Sequence, residues 1–223
     1  MGKTILTPKQ LNFLELIQRE RQVTKRFYLT GGTALSEFYL HHRLSEDIDL
    51  FTEQEEVNQQ VVLAFLKKIS AKLSIVKINR TQFLGLFSFV LHFKDGETLK
   101  VDFNYYPFTR IEKGLKYKNL EVDSIYDIAV NKVHTLFTKP RVRDYIDLYF
   151  IMKKFEYSLN KLVLDAKAKF DWHIDPVTLG SQFLRVKSFN QSDFPKMLIP
   201  FNKKDMEVFF LKLAKSLEGD IFN

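Results

Sequence analysis

The sequence predicts a mixed α/β (α+β) core over residues 1–122 and a helical part over residues 123–223. Two observations carry this. Up to about residue 123, short runs rich in Val, Ile, Phe and Leu alternate with segments of helical period. Beyond that point the strand signals stop and the helical period persists, with no internal repeat and no low-complexity linker in the chain.

Taken in order, Thr7-Pro8-Lys9-Gln10 reads as a helix start. Thr7 suits the cap, Pro8 the first helical position and Gln10 the reciprocal arm of a capping box, so a helix is expected to about Gln22. Residues 27–30 read as a short buried strand, Gly31-Gly32 as a turn, and 33–40 as a helix with Leu35, Phe38 and Tyr39 facing inward. Residues 47–51 alternate acidic and apolar residues as a second strand. In 55–73 the residues Val61, Val62, Phe65, Leu66, Ile69 and Leu73 recur at helical spacing. Strands are then expected over 74–79, 83–94 and 98–104, with a hairpin turn at Lys94-Asp95-Gly96-Glu97. Ser124 and Asp127 have capping-box spacing for a helix reaching about Thr138, before Pro140, and further helices are expected over 141–155, 159–170 and 204–217.

Composition narrows the function. With 223 residues, 45% of them hydrophobic and 14% aromatic, the chain can bury a substantial core. It has no cysteine, which excludes disulfides, thiolate chemistry and Cys-ligated zinc. The opening MGKTILTPKQ lacks the apolar stretch of a secretory signal, and the longest apolar run, 83–93, is too short to span a bilayer, so a cytoplasmic protein with no membrane partner is expected. A formal charge of +7 leans towards polyanionic partners. The five histidines show no metal-ligand spacing, and no nucleophile elbow, Walker loop or dinucleotide fingerprint occurs.

The chemistry concentrates in GGTALSEFYLHHRLSEDIDLF, residues 31–51. Asp47 and Asp49 project to one face of a strand while Ile48 and Leu50 enter the core. Two like charges so close repel unless a cation sits between them, and magnesium is the economical candidate; acids that simply face water are the alternative. In Leu99-Lys100-Val101-Asp102-Phe103-Asn104 the apolar positions place Asp102 on the other face with Lys100 and Asn104. If that strand neighbours the first, three carboxylates meet, the composition of a two-metal phosphoryl-transfer site; otherwise Asp102 is a solvated acid. Gly31-Gly32, leading from strand to helix, lets backbone N–H groups approach phosphate oxygens, with Thr33 as a cap or a further contact. Lys132 falls within the apolar stripe Ile128, Ala129, Val133 and Leu136, so it either snorkels outward or meets an anion such as a triphosphate. Arg143 and Asp147 stand at i,i+4 and Asp144 near a helix start, which a surface ion pair would explain, and Arg43 reads either as a phosphate ligand or as a surface residue.

These residues resemble those of the AbiEii/AbiGii-type nucleotidyltransferase toxins, members of the DNA polymerase β-like nucleotidyltransferase superfamily, whose hallmark is a Gly-Gly or Gly-Ser turn, a helix and then D-x-D. The 14 residues between Gly32 and Asp47, with Arg43 and Ser45 in an R-x-S-x-D-x-D run, fit that spacing. SIYDIAVNKVHTLFTKPRVRDYIDLYF resembles the second block, a lysine-bearing helix followed by R-D-x-x-D, which maps to Lys132, Arg143, Asp144 and Asp147. After the lysine this chain has Val133, His134 and Thr135 where relatives commonly show leucine, alanine and arginine. The similarity runs over 27–150. It implies a polymerase β-like core with a mixed sheet, two Mg2+ ions held by Asp47, Asp49 and Asp102, and an NTP contacted by Gly31, Gly32, Thr33, Arg43, Ser45, Lys132, Asp144 and Asp147. It further implies transfer of NMP to RNA, in some members the 3′ end of tRNA, and a cognate antitoxin. A small-molecule, antibiotic-type nucleotidyltransferase and a non-catalytic nucleotide-binding module are the alternatives.

Overall fold

The computed structural model describes residues 4–217, which divide into two compact units. The first comprises the chain up to Tyr39 together with Leu44–Ser124, and the second comprises Leu40–Arg43 with the chain from Ile125 onward.

The first unit is built on a sheet that, among the described residues, has seven strands in the order β3-β4-β5-β2-β1-β7-β6. These are β1 (Tyr28–Thr30), β2 (Ile48–Thr52), β3 (Ile75–Phe83), β4 (Leu86–Phe93), β5 (Thr98–Tyr105), β6 (Lys116–Tyr117) and β7 (Leu120–Val122). The sheet is mixed: β2 runs parallel to β5 and β1 parallel to β7, and the remaining neighbours are antiparallel. One face carries Leu29, Ile48, Leu50, Phe89, Leu91, Val101 and Phe103, all fully buried. Each such side chain contributes about 1.5–3 kcal/mol of transfer free energy.

Helix α1 (Pro8–Ile17) opens with the expected capping box. Thr7 Oγ1 accepts from the Gln10 N–H at 3.2 Å, and Gln10 Oε1 accepts from the Thr7 N–H at 2.9 Å. It stops at Ile17 rather than near Gln22, because 18–22 offers no apolar side chain to bury and the Arg19 and Glu20 amides turn back three residues, to Leu16 and Ile17. A single turn, α2 (Arg21–Thr24), then buries Val23. Helix α4 (Gln59–Leu73) starts four residues later than the periodicity suggested, where Asn58 accepts from the Gln60 and Val61 amides, and Phe65 packs edge-on against Phe13 of α1.

Three further differences have physical causes. The helix after β1 begins at Gly31 itself as α3 (Gly31–Leu35) and widens into a π turn, Ser36–Leu40. The wider turn rotates the face, so Leu35 is buried while Phe38 and Tyr39 are only half-buried, Phe38 lying edge-on to Tyr117. Strand β3 continues to Phe83 because the hairpin turns at Leu84-Gly85, both with positive φ (45° and 78°) as a two-residue primed turn requires. The short pair β6–β7 turns at Lys118-Asn119 and carried no strand signal of its own.

In the second unit the helices are α5 (Ile125–Thr138), α6 (Val142–Phe155), α7 (Leu159–Phe170), α8 (Pro176–Leu184) and α9 (Lys203–Ser216). Helix α8 was not anticipated. Asp175 caps it by accepting the Thr178 amide at 2.7 Å, and Pro176 occupies its first turn. Val133, Leu136, Ile146, Leu148, Ile151, Leu162, Leu179, Phe183 and Phe210 form its core. Among the described residues no helix is long and apolar enough to cross a membrane.

Candidate active site

The parallel register of β2 and β5 sets Asp49 directly opposite Asp102. The same parity brings Ser88 of β4 beside Asp102 and Thr30 of β1 beside Asp49. Asp47, one residue before β2, shares the face, because the apolar alternation that buries Ile48 and Leu50 sends 47 and 49 the other way.

Lys100, two residues before Asp102 on β5, joins the acids. Its Nζ lies 2.5 Å from Asp102 Oδ2 and 3.8 Å from Asp47 Oδ2. Partial burial opposes its charge, but Asp102, Asp47 and Asp49 together hold its pKa above the ordinary lysine value. Asp102 is fully engaged, its other oxygen accepting from Ser88 Oγ at 2.6 Å. Among the described residues no group of three or more His, Asp or Glu side chains surrounds a ready-made metal position. The donor chemistry nevertheless fits a hard cation: carboxylates 47 and 102 already converge on one cationic group, the lysine ammonium, with Asp49 beside them.

The corner between β1 and α3 is built against these acids. Gly31 has φ +72°, and a β-carbon there would overlap Asp49 Oδ2, so only glycine allows the backbone so close to the carboxylate. The helix N-cap is Thr30, not Thr33, and Thr30 Oγ1 donates to buried Asp123 Oδ2 at 2.7 Å. Thr33 is itself buried, and its hydroxyl donates to the Asp47 carbonyl, tying the helix to the acidic strand. Ser45, half-buried in the intervening loop, accepts through its carbonyl from Gln10 Nε2 at 2.7 Å. Lys100, Ser88 and Asp123 were not singled out from sequence. Lys100 had been placed on the acid face by alternation alone, whereas Ser88 and Asp123 leave no local pattern.

The remaining sequence-selected residues sit together in the second unit. Asp147 is completely buried: Arg43 donates to it twice, from Nε at 2.6 Å and Nη2 at 2.8 Å, Lys132 Nζ lies at 2.6 Å, and His42 Nε2 at 2.8 Å. Lys132 also donates to buried Asp144 at 2.7 Å, and Asp144, at the third position of α6, accepts the amide of the N-cap residue Arg141 at 2.9 Å. Asp147 therefore lies in the interior, not in a surface pair with Arg143, and Lys132 neither snorkels nor lacks an anion. Burial would raise the Asp147 pKa, but the charges of Lys132 and Arg43 and the bonds from Arg43 and His42 hold it well below the usual carboxylate value. Asp144 is likewise lowered, burial being outweighed chiefly by Lys132. Burial lowers the His42 pKa, so the neutral ring donates through Nε2 while its Nδ1 is buried without a partner.

A Gly-Gly corner pressed against a D-x-D strand, with a third acid in parallel register, is the arrangement to set beside known proteins. The model of the AbiEii nucleotidyl transferase toxins of type IV toxin–antitoxin systems matches residues 15–216. The chain belongs to this AbiEii family. The uncharacterized Aquifex aeolicus protein aq_aa25 is 31% identical over 147 residues, 65% of this chain and 66% of that one, so the match spans just under two thirds of the relative's length. Among solved structures, JHP933 from Helicobacter pylori superposes with a TM-score of 0.57 at 18% identity, covering 96% of this chain and 94% of that one. MenT4, a nucleotidyltransferase toxin from Mycobacterium tuberculosis, gives 0.54 at 14% identity, covering 93% and 82%. The AbiEii chain thus has the polymerase β-like nucleotidyltransferase fold, and its mixed sheet with α/β architecture is that fold's.

Proposed function

We propose that the protein is a divalent-metal-dependent nucleotidyltransferase that moves NMP from an NTP onto an RNA acceptor, the 3′ end of tRNA being the reading tested first, and acts as the toxin of a toxin–antitoxin pair. The observation that carries this is the register of Asp49 with Asp102, with the Lys100 ammonium bridging Asp102 and Asp47. Family membership supports the reaction class and an antitoxin partner.

In this reading Asp47, Asp49 and Asp102 would hold Mg2+, in place of the Lys100 ammonium that now bridges two of them. When bound, the metal supplies Lewis-acid stabilisation of phosphate charge and a lowered pKa for the attacking hydroxyl. The protein does the positioning. Gly31 and Gly32 present backbone N–H groups to phosphate, and Thr33 fixes Asp47 through its carbonyl. Lys100, on the same face as the acids, would be the cation nearest to phosphate oxygens brought there. Arg43, Lys132, Asp144 and Asp147 satisfy one another in an ion cluster of the second unit that fixes the start of α6, and Ser45 is held through Gln10. Chemistry of this kind depends on preorganised charge rather than covalent participation.

The test is incubation with each labelled NTP, Mg2+ and total tRNA beside an Asp49→Ala control. Label on RNA with wild type and none with the variant is expected; wild-type levels of transfer by Asp49→Ala overturn the assignment.

A further inference from the structure

A second charged feature of the first unit lies apart from the acids. A cavity of about 620 Å³ opens where β1 begins and β2 ends, within the volume range of small-molecule sites. Tyr28 in its wall pairs with Phe51, whereas Thr30 pairs with Asp49, so the cavity takes the opposite end of the β1–β2 ladder. Glu53, also in its wall, is four residues beyond Asp49, roughly 13 Å along a strand.

Six basic side chains line it, Arg19, Arg21, Lys25, Arg26, Arg110 and Lys116, against two acids, Glu53 and Glu121. Both acids are consumed by Arg110. Its amide and Nε donate to Glu53 Oε1 at 2.9 and 3.0 Å, and its Nη2 donates to Glu121 Oε2 at 2.9 Å. The guanidinium is thereby held over the Tyr28 ring, its Cζ 4.2 Å from the centroid. Arg26 meets Glu55, outside the lining, at 3.1 Å. Among the described residues Arg19, Arg21, Lys25 and Lys116 have no carboxylate within ion-pair distance, so four like charges share one concavity. The Tyr28 hydroxyl is buried in the same wall without a hydrogen-bond partner. Concentrating cations in a hollow, with the local acids already spent, raises the local potential for anions far more than the same charges dispersed would.

We propose that this cavity is a second anion site that takes closely spaced phosphate groups, carried either by a free oligophosphate or by a nucleic acid backbone, and that it binds them independently of the acids at Asp47, Asp49 and Asp102. Several phosphates are needed because one monoanion would leave most of the excess positive charge uncompensated. Phosphate suits arginine forks flanked by lysine better than an isolated carboxylate does.

The experiment is calorimetric titration of the full chain, without divalent metal, with sodium tripolyphosphate and separately with a ten-nucleotide single-stranded RNA. Wild type, Asp49→Asn, Arg21→Glu/Lys25→Glu and Arg21→Gln/Lys25→Gln are compared, with circular dichroism confirming that each is folded. Asp49→Asn should bind as wild type does. The charge reversal should weaken binding by about tenfold or more, the neutral pair by less, and wild-type affinity should fall steeply with salt. Binding of tripolyphosphate alone assigns the site to a free oligophosphate, and binding of RNA that tripolyphosphate displaces assigns it to backbone phosphates; either supports the proposal. Undiminished binding by the charge reversal, loss of binding in Asp49→Asn, or no binding of either probe by wild type overturns it. Loss of nucleotide transfer in Asp49→Asn with anion binding intact keeps this outcome separate from that of the catalytic reading.

Discussion

Two ionic clusters, one in each unit, use the same residue types to opposite ends. In the second unit two carboxylates, Asp144 and Asp147, meet two permanent cations, Arg43 and Lys132, with neutral His42 completing the bonds, and all five side chains are buried. Charge is balanced there. On the first unit's sheet three carboxylates gather around one ammonium that reaches only two of them, and Lys100 is 41% exposed. The difference teaches how to separate a structural ion cluster from a reactive one. A balanced, sealed cluster has no use for another cation, whereas an acid-rich, half-open one does.

Several substitutions probe that contrast. The largest effect is expected for Asp49→Ala, which should reduce nucleotide transfer by about 10³-fold or more, roughly 4 kcal/mol of barrier, with little change in melting temperature. Asp147→Ala should do the reverse in kind, costing about 3–5 kcal/mol in urea unfolding because Arg43 and Lys132 are left buried without it. A loss below about 1 kcal/mol would show that the cluster does not hold the unit together. Gly31→Ala should cost about 1–2 kcal/mol of stability from the positive φ, and it should also lower transfer by displacing Asp49.

Acidification should separate the clusters further. The folded-state pKa of His42 is below 6.5, so the unfolded chain binds the extra proton and stability falls as pH drops from about 6.5 towards the folded value. Asp144 and Asp147 lie below 3.8, so their contribution is complete above the unfolded value and is lost as pH falls through their folded values. Chemical denaturation from pH 7 to pH 3 should therefore show two declines, and His42→Gln should shrink the upper one, to which His134, also lowered by burial, contributes. The smallest effect is expected for Lys100→Met, which should tighten Mg2+ binding a few-fold by freeing Asp102 and Asp47 from the ammonium.

Legibility in the sequence followed the range of the interactions. The capping box at Thr7, the helical stripe of α4 and the alternation that buries Val101 and turns Asp102 to the other face are local, and all could be read. The family was legible for the same reason: a Gly-Gly turn and D-x-D at fixed spacing lie within one short stretch. The π turn was not legible, because a change of helical period within five residues leaves no periodicity to detect, and it misplaced Phe38 and Tyr39. The strand β7 is only three residues long and depends on its partner β1. At the site, Ser88 and Asp123 are supplied by distant strand and loop positions, and the burial of Arg43 depends on an aspartate 104 residues away. A surface pair of Arg143 with Asp147 satisfied every local rule and still lost, because His42, Arg43 and Lys132 converge on that aspartate from elsewhere in the chain.

The parallel pairing of β2 with β5 has a temporal consequence. Asp49 and Asp102 are separated by about fifty residues of chain and become neighbours only once α4, β3 and β4 have been made and folded between them. During synthesis, a ribosome-bound fragment that ends before the fifth strand carries the glycine corner and the first two acids yet cannot assemble the third. A cell making this protein would thus meet a complete acidic cluster only after the chain through the fifth strand had emerged.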